Sequence, residues 1–596
     1  MPPEMVSERA RQLPAMLDDF PSAPGDWADL PSSVRQELLA AGQRERTRPY
    51  PMPGVEAYLA YGRTGDRIAY EQPYFERRRM LNALVLAECV EAKGGFLDRI
   101  VEGVWLLCEE TGWQLPAHNS YERGGKRLSL PDPERPVIDL FAAETAAQLA
   151  VLAQLLGPAI EQAAPGIVAR IDRELERRVF HPYLTQHFWW MGQGDEPMNN
   201  WTAWCTQNVL LAAFTRPTRQ EVRQAIMRQA STSLDAFLKD YGEDGACQEG
   251  VLYYRHAGLC LFNALQVLDT VAPGNFTPLW QVPKIRNIAE YIVHMHVGGQ
   301  RYFNFADSSA VVERCGAREF LFGRAVGSTA LADFAAADWQ VERLAALPAE
   351  INLFYRVQAA FAVRALDAHR PSRVARPDVF LPSIGLMVAR DERFALAAKA
   401  GDNGDSHNHN DVGSVILYKD GRPVLIDVGV ETYTARTFSA QRYDIWTMQS
   451  AYHNLPAFDG VGQQDGQSFA ARDVEVQLNA DAAVLSMELA GAYPPSAGVR
   501  SCRRSVRLDK GRAVTVADKH DGDRPAILSL MLAEEPQIEP GRIVLPGLAS
   551  LTLAGAASPV LETIEVSDDR LRKAWPARLY RVLVPFAGSE LTIIIQ

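Results

Sequence analysis

Apolar residues in the first part of the chain, to about residue 370, recur at spacings of three and four. This periodicity is typical of helices that bury one face and expose the other. Clear examples are the segments 74–92, 137–156, 217–242 and 351–366, which are separated by residues such as Gly, Pro and Asn. Helices in series must bury their apolar faces on one another. The pattern therefore predicts an all-helical N-terminal region, and a closed or partly closed ring of helix pairs is consistent with it.

The pattern changes near residue 370, where the Pro- and Arg-containing segment 368–378 reads as a linker. Beyond it, apolar and polar residues alternate with period two in short runs such as 414–429 and 499–522. Alternation of this kind is typical of half-buried strands, and Asp-Gly at 420–421 and Lys-Gly at 510–511 indicate hairpin turns. We therefore predict a helical domain over residues 1–370 and an antiparallel β-sandwich over residues 371–596.

Charge and composition narrow the function classes. The chain has 596 residues and a formal net charge of −12, which argues against a nucleic-acid-binding protein. We find neither an apolar N-terminal stretch typical of a signal peptide nor an apolar run long enough to cross a membrane. The seven cysteines form no CxxC motif, which favours a reducing compartment. We expect a cytoplasmic protein, or a periplasmic or secreted one if the natural chain begins further upstream.

Two histidines stand out in the segment 401–430. His407 and His409 lie in a polar loop that leads into an alternating strand pattern ending at Asp427. Adjacent strands can bring His409 and Asp427 together, and His453 in another polar loop offers a third ligand. Two imidazoles and one carboxylate suit zinc. The alternative is that these are loop residues with local hydrogen bonds, because His-x-His is a short and common pattern.

The segment 189–208 combines tryptophans with the asparagines 199 and 200. Flat aromatic faces can stack on sugars, and amides can bind hydroxyl and carboxylate groups. The alternative is that the tryptophans pack between helices and the asparagines cap them. Polar and aromatic loops that contain His118, or Arg442 and Tyr443, could line a cleft in the same way.

Two tyrosines, Tyr253 and Tyr254, follow a Gly-rich turn that contains Glu249. A tyrosine can act as an acid or a base if its ordinary pKa of about 10 is lowered by nearby cations or metal. The alternative is that both rings are half-buried and their hydroxyls are satisfied by structural hydrogen bonds.

Taken in order, these motifs resemble the heparinase II/III-like polysaccharide lyases. The matching motifs are EETGWQLPAHN (109–119), NNW (199–201), DG…EG..YY (244–254), HNHNDVGSVILYKDGRPVLIDVG (407–429) and YTARTFSAQRYDIWTMQSAYHNLP (433–456). The resemblance spans roughly residues 70–470. It implies an incomplete α/α-toroid followed by an antiparallel β-sandwich. It also implies β-elimination at a uronic acid, in which the C5 proton is removed, the C4 oxygen is expelled and a C4–C5 double bond forms.

The resemblance assigns roles to individual residues. Asn200 matches the amide that binds the substrate carboxylate, Tyr253 the acid or base, and His407 the histidine that assists proton transfer. The implied zinc ligands are His409, Asp427 and His453, and the zinc would mainly fix the loop that carries His407. No organic cofactor is implied. Further substrate-binding candidates are His118, Trp201, Glu249, Tyr254, Arg442 and Tyr443.

One position departs from the family pattern. Trp201 stands where some members carry a histidine that acts as a base on one uronate epimer, so the epimer preference stays open. The implied partner is an anionic uronate-containing glycan: a glycosaminoglycan such as hyaluronan, chondroitin or heparan sulfate, or else alginate. No nucleic acid or membrane partner is expected, and a homo-oligomer is compatible with the sequence.

Two other functions remain open at this point. A glycoside hydrolase on a helical toroid would need two acidic residues in its cleft, and the candidates are Asp195, Glu196, Glu249 and Asp307. A non-catalytic glycan-binding protein would use the same aromatic loops without any chemistry.

Overall fold

The computed structural model describes residues 4–343 and 347–596, which form two compact units. The first unit comprises Met1–Asp240, Arg255–Ala289 and Arg314–Val374. The second comprises Tyr241–Tyr254, Glu290–Glu313 and Ala375–Gln596. Two segments from the helical part of the sequence are thus grouped with the β-rich unit. The domain boundary after residue 370 therefore stays a prediction.

Helices occupy most of the sequence before residue 370, as the periodicity predicts. Their bounds are Ser7–Ala10 (α1), Ser32–Glu45 (α2), Val55–Thr64 (α3), Ile68–Glu91 (α4), Leu97–Glu109 (α5), Leu140–Ala163 (α6), Ile167–Leu175 (α7), His181–Thr185 (α8), Asn200–Phe214 (α9), Gln220–Asp240 (α10), Gly258–Val271 (α11), Pro283–Met295 (α12), Ala317–Ala325 (α13), Thr329–Val341 (α14) and Leu353–Ala368 (α15).

Helix α9 lies at the centre of the first unit and packs against α6, α10 and α11. Nearly all of its residues are buried, including the polar Thr206, Gln207 and Asn208, because neighbouring helices cover it on several sides. Helix α6 is, by length and composition, apolar enough to cross a membrane, but 83% of its most apolar window is buried inside the protein. It is therefore a core helix of the first unit.

Residues 167–184 have the apolar spacing of one helix, and within this segment the α-helical geometry changes for one turn. A π-helical turn at Glu176–Phe180 separates α7 from α8. Pro182 follows this turn, and its missing N–H and bulky ring prevent a regular hydrogen-bond ladder there.

The strands belong to the second unit. Their bounds are His296–Gly298 (β1), Arg301–Tyr302 (β2), Val379–Leu381 (β3), Leu386–Arg390 (β4), Phe394–Lys399 (β5), Asp402–Asn403 (β6), Val415–Lys419 (β7), Arg422–Leu425 (β8), Pro456–Phe458 (β9), Gly466–Ala470 (β10), Arg472–Leu478 (β11), Ala482–Glu488 (β12), Val499–Asp509 (β13), Ala513–Gly522 (β14), Ala526–Leu532 (β15), Gln537–Glu539 (β16), Arg542–Leu545 (β17), Ala549–Ala554 (β18), Val560–Glu565 (β19), Arg578–Pro585 (β20) and Glu590–Ile595 (β21).

Three larger antiparallel sheets form the sandwich. Their strand orders are β11-β12-β13-β14-β21-β18-β17-β16, β3-β4-β5-β7-β8 and β19-β20-β15-β9. Alternate residues of all three sheets meet in one buried apolar cluster, which includes Leu396, Val506 and Val582. The predicted hairpin between β7 and β8 turns at Asp420 and Gly421, where φ is 51° and 77°. Positive φ at both central positions is typical of two-residue hairpin turns whose twist matches that of the strands they join.

Candidate active site

In the first unit, Asn200 is the first residue of helix α9. The preceding Asn199 caps the helix, because its side-chain oxygen accepts a hydrogen bond from the backbone N–H of Trp201 at 3.0 Å. The side chain of Asn200 is only 3% exposed. The predicted carboxylate-binding amide therefore lies at the positive end of a helix, where an anion is favoured.

A group of half-buried aromatic rings lies along the same helix start. The ring of Trp201 meets His118 at 4.7 Å and Trp189 at 5.1 Å between centroids. The guanidinium of Arg123 lies 4.6 Å over the Trp189 ring. The Nδ1 atom of His118 is 2.7 Å from Asp139, the residue that caps helix α6. The predicted binding residues His118 and Trp201 are therefore neighbours, and a buried carboxylate fixes the orientation of the histidine.

In the second unit, one carboxylate organises the candidate chemistry. Asp307 is fully buried, and its oxygens contact His407 Nδ1 (2.7 Å), His409 Nε2 (3.1 Å), Arg442 Nη2 (2.7 Å) and Tyr433 Oη (3.0 Å). Burial alone would raise the pKa of Asp307. The hydrogen bonds from the two histidines, and the charges of His407 and Arg442, instead hold this pKa well below its ordinary value. The carboxyl is therefore ionised and accepts all four contacts.

The predicted pair Tyr253 and His407 lie against each other, with ring centroids 4.5 Å apart. The hydroxyls of Tyr253 and Tyr433 are 2.6 Å apart. Because an ionised carboxylate only accepts hydrogen bonds, Tyr433 donates to Asp307 and its oxygen is left to accept from Tyr253. The His407 backbone is left-handed, with φ of 59°, which reflects the tight loop that presents its ring.

The charges around this pair act on both pKa values. Burial alone would lower the pKa of His407, but its charge interaction with the phenolate form of Tyr253 and its hydrogen bonds to carboxylates raise it well above its ordinary value. The two carboxylates are Asp307 at Nδ1 and Glu249, whose Oε2 is 3.2 Å from Nε2. Burial raises the pKa of Tyr253, and the charge of His407 opposes that effect. The histidine thus makes loss of the phenolic proton less costly.

The predicted metal ligands lie together. Ligand atoms of His409, Asp427 and His453 are all within 4.8 Å of one another, and all three side chains are completely buried. His409 Nδ1, Asp427 Oδ2 and both ring nitrogens of His453 lack hydrogen-bond partners. His453 Nδ1 and Asp427 Oδ2 lie 3.1 Å apart without hydrogen-bond geometry. Buried polar atoms without partners are costly, so this donor set fits a bound cation such as zinc.

The other predicted substrate-binding residues differ in position. Arg442 donates to the backbone oxygens of Asn408 and Thr437, and Tyr443 accepts from the Asn408 side chain at 3.3 Å. Both residues therefore brace the histidine loop. Tyr254 is completely buried, so its described position lends no support to substrate contact. Substrate binding by these residues stays a prediction.

Two functional candidates were missed or misread in the sequence. The sequence indicated Asp307 only as a candidate acid of a glycoside hydrolase. It indicated Tyr433 only as the first residue of the motif 433–456. Asp307 cannot be a general acid, because it is ionised and committed to two histidines. Glu249 also contacts His407, and Glu196 is a surface residue 3.3 Å from His187. The described residues therefore give no support to a hydrolytic acid pair.

Comparison with known proteins gives the fold and a family match for the C-terminal region. Residues 373–553 match the family model described as Heparinase II/III-like, C-terminal. A solved structure of heparan sulfate lyase HepC from Pedobacter heparinus matches with a TM-score of 0.59 and 15% identity, covering 99% of this chain and 86% of that one. A structure named Heparinase III matches with a TM-score of 0.63 and 12% identity, covering 99% and 88%.

A variant of the Streptomyces coelicolor A3 chondroitin AC lyase matches with a TM-score of 0.51 and 12% identity, covering 100% and 82%. No curated protein sequence matches the chain. These matches confirm the predicted fold class, a helical toroid region followed by an antiparallel β-sandwich. The family match covers residues 373–553, so the likeness to the heparinase II/III-like family is shown for this C-terminal region of the chain.

Proposed function

We propose that this protein is a polysaccharide lyase that cleaves uronic-acid-containing glycans by β-elimination. The observation that carries the proposal is the packing of Tyr253 against His407. His407 contacts the buried carboxylate of Asp307 directly, and Tyr253 is connected to it through the hydroxyl of Tyr433. The fold supports it, because the similar solved structures are named heparan sulfate lyase, heparinase III and chondroitin AC lyase.

The proposed reaction removes a weakly acidic proton next to a carboxylate. The amide of Asn200 would bind the uronate carboxylate and stabilise the charge that develops there. Tyr253 would take the C5 proton as its phenolate. The C5–H electron pair would form the C4–C5 double bond as the C4–O bond breaks. The departing oxygen would take up a proton from Tyr253, which restores the phenolate.

His407 would assist by its charge and position. Its ring lies beside Tyr253, where it favours the phenolate that the reaction needs. General acid–base groups of this kind contribute about 10²- to 10⁴-fold in rate.

The metal proposal concerns His409, Asp427 and His453, which would hold zinc. A bound zinc ion would supply positive charge that satisfies the buried ligand atoms of this group. His409 is two residues from His407 on the same loop, so a fixed His409 limits where the His407 ring can lie.

The substrate we propose is a glycosaminoglycan-type chain, since the similar solved structures are named for heparan sulfate and chondroitin. Alginate is the second uronate polymer to compare. We also propose a cytoplasmic location, where short imported oligosaccharides would be the natural substrates.

The test is to incubate the protein with hyaluronan, chondroitin, dermatan and heparan sulfates, heparin, alginate and their oligosaccharides. The ultraviolet absorbance of the conjugated double bond reports elimination. We expect a rise that is lost in Tyr253→Phe and retained in Tyr493→Phe. Tyr493 is the matched control, because its buried hydroxyl donates to the Pro456 backbone oxygen at 2.6 Å.

Two outcomes would contradict the proposal. New reducing ends without the absorbance would indicate hydrolysis. Binding to the glycans without any product would indicate a non-catalytic glycan-binding protein.

A further inference from the structure

The segment 304–308 of the second unit is held between two glycine turns. Gly250 has φ of 88°, and a Cβ there would lie 2.4 Å from the Phe305 backbone oxygen. Gly429 has φ of 81°, and a Cβ there would lie 2.8 Å from the Ser308 backbone oxygen. Only glycine permits both this conformation and this approach. The segment is therefore wedged between the turn that precedes Tyr253 and the turn that follows Asp427.

Hydrogen bonds extend the same connection. The Asn304 side chain donates to the Asp427 backbone oxygen at 3.0 Å, and Ser308 Oγ accepts from the Leu252 backbone N–H at 3.1 Å. The segment 304–308 thus joins the strand end that carries a predicted metal ligand to the turn that carries the predicted catalytic tyrosine.

The carboxylate of Asp307 divides its oxygens between two histidines. Oδ2 contacts His407 Nδ1 and the Tyr433 hydroxyl, at 2.7 and 3.0 Å. Oδ1 contacts His409 Nε2 and Arg442 Nη2, at 3.1 and 2.7 Å. Each oxygen therefore serves one histidine together with one further donor.

This division sets which nitrogen of each ring is available. His409 turns Nε2 to Asp307 at 3.1 Å, which leaves Nδ1, the atom that lacks a partner, beside Asp427 and His453. His407 turns Nδ1 to Asp307 at 2.7 Å and Nε2 to Glu249 at 3.2 Å, so both of its nitrogens face carboxylates. A carboxylate behind a metal-binding imidazole fixes its tautomer and its orientation.

We infer that Asp307 is a positioning residue that ties the metal-binding His409 and the catalytic His407 to one carboxylate, so that metal occupancy controls the placement of His407. This inference rests on the proposed function only where it calls His407 catalytic. The coupling between the metal group and the His407 ring is a property of the chain itself and can be measured without a substrate.

The main variant is Asp307→Asn, which keeps the shape but replaces one acceptor oxygen with an NH₂ donor. Loss of such a partner typically costs about 10- to 100-fold in metal affinity or activity. We expect a decrease of about 10- to 100-fold in zinc affinity, measured by competition with a chromophoric chelator. We expect kcat to decrease by a similar factor, with KM little changed, because Asp307 is fully buried and does not reach the substrate.

The matched control is Asp338→Asn in the first unit. Asp338 is also a buried carboxylate with an arginine partner, Arg314 at 3.0 Å, and it accepts from the Cys315 backbone N–H at 2.9 Å. It contacts no residue assigned to the site. We expect Asp338→Asn to keep the zinc affinity and kcat of the unchanged protein, even if its melting temperature decreases as much as that of Asp307→Asn.

A second measurement uses the unchanged protein, in case Asp307→Asn does not fold. The ring resonances of His407, assigned with His407→Gln, are followed by NMR while zinc is removed with a chelator. We expect them to shift as the zinc leaves. Unaltered resonances would overturn the inference, and so would an Asp307→Asn variant whose zinc affinity equals that of Asp338→Asn.

These readouts separate the inference from the proposed function. If the unchanged protein produces no double bond on any glycan, the lyase proposal fails while the zinc affinities and resonances still decide the coupling. If kcat decreases in Asp307→Asn at unchanged zinc affinity, the coupling fails while the lyase proposal stands.

Discussion

The two units carry candidate residues of different kinds. In the first unit they are an amide and aromatic rings, beside the ionisable pair His118 and Asp139. In the second unit they are ionisable groups that share one buried carboxylate, Asp307. Aromatic and amide groups bind a sugar through separate contacts, whereas groups on a shared carboxylate depend on one another. We therefore expect changes in the aromatic rings of the first unit to alter KM and changes in the second unit to alter kcat.

The largest effect is expected for His407→Ala. Removal of the ring takes away the positive charge beside Tyr253 and one of the donors to Asp307. We expect kcat to decrease by about 10²- to 10⁴-fold with a smaller change in KM. Steady-state kinetics on the best glycan of the panel measures both values. A change confined to KM would remove the distinction between the units.

The next effect is expected on metal removal. Chelation, or His453→Ala, leaves the buried ligand atoms of His409 and Asp427 without a cation. We expect a lower melting temperature and a decrease in kcat of about 10- to 100-fold, both restored by zinc in the chelated protein but not in the variant. Metal content by mass spectrometry and calorimetry test this. A melting temperature that is insensitive to chelation would contradict a structural metal.

A smaller effect concerns stability and pH in the second unit. Burial raises the pKa of Asp405 from 3.8 to about 6, despite the opposing charge of Lys399. The folded state therefore binds this proton more tightly than the unfolded state, and stability is lost as pH rises from about 4 through 6. At 1.36 kcal/mol per pH unit, Asp405→Asn should gain about 1 to 3 kcal/mol relative to the unchanged protein at pH 7.

The measurement for Asp405→Asn is the free energy of unfolding of both proteins in denaturant between pH 4 and pH 8. The difference should grow as pH rises to about 6 and then level off. A difference that stays constant, or that shrinks with rising pH, would contradict the assigned shift.

The smallest effect is expected for Trp201→Ala in the first unit. An aromatic contact contributes about 0.5 to 1.5 kcal/mol, so we expect KM to increase about 2- to 10-fold at nearly unchanged kcat. Trp105→Ala is the control, because that ring is 54% exposed on helix α5. A large decrease in kcat for Trp201→Ala would show that the aromatic rings also take part in the chemical step.

Much of the fold could be predicted because it is encoded locally. Helices such as α4 and α15 follow the apolar spacing of the sequence, and the β7–β8 hairpin follows from Asp420 and Gly421. The π-helical turn between α7 and α8 was not predicted, although Pro182 is visible in the sequence, because the surrounding apolar spacing remains typical of an α-helix.

The candidate site was predictable only where residues cluster along the chain. His407, His409 and Asp427 lie close enough in sequence to suggest a shared purpose. The predicted metal-binding group also includes His453, which lies in another loop. The structure places His409, Asp427 and His453 within reach of one cation. Tyr254 shows the limit of such reasoning, since its neighbour Tyr253 meets His407 whereas Tyr254 is buried in the core.

The sequence by itself determined the succession of helices and strands, the hairpin turns and the residue types available for chemistry, because periodicity and turn propensity act over a few residues. Only the tertiary structure decided that Asp307 joins the two histidines. It lies 100 residues from His407 and 102 from His409, and a contact over such a separation leaves no pattern in the local sequence. Its physical cause is the packing of segment 304–308 between Gly250 and Gly429, which brings one carboxylate to both rings.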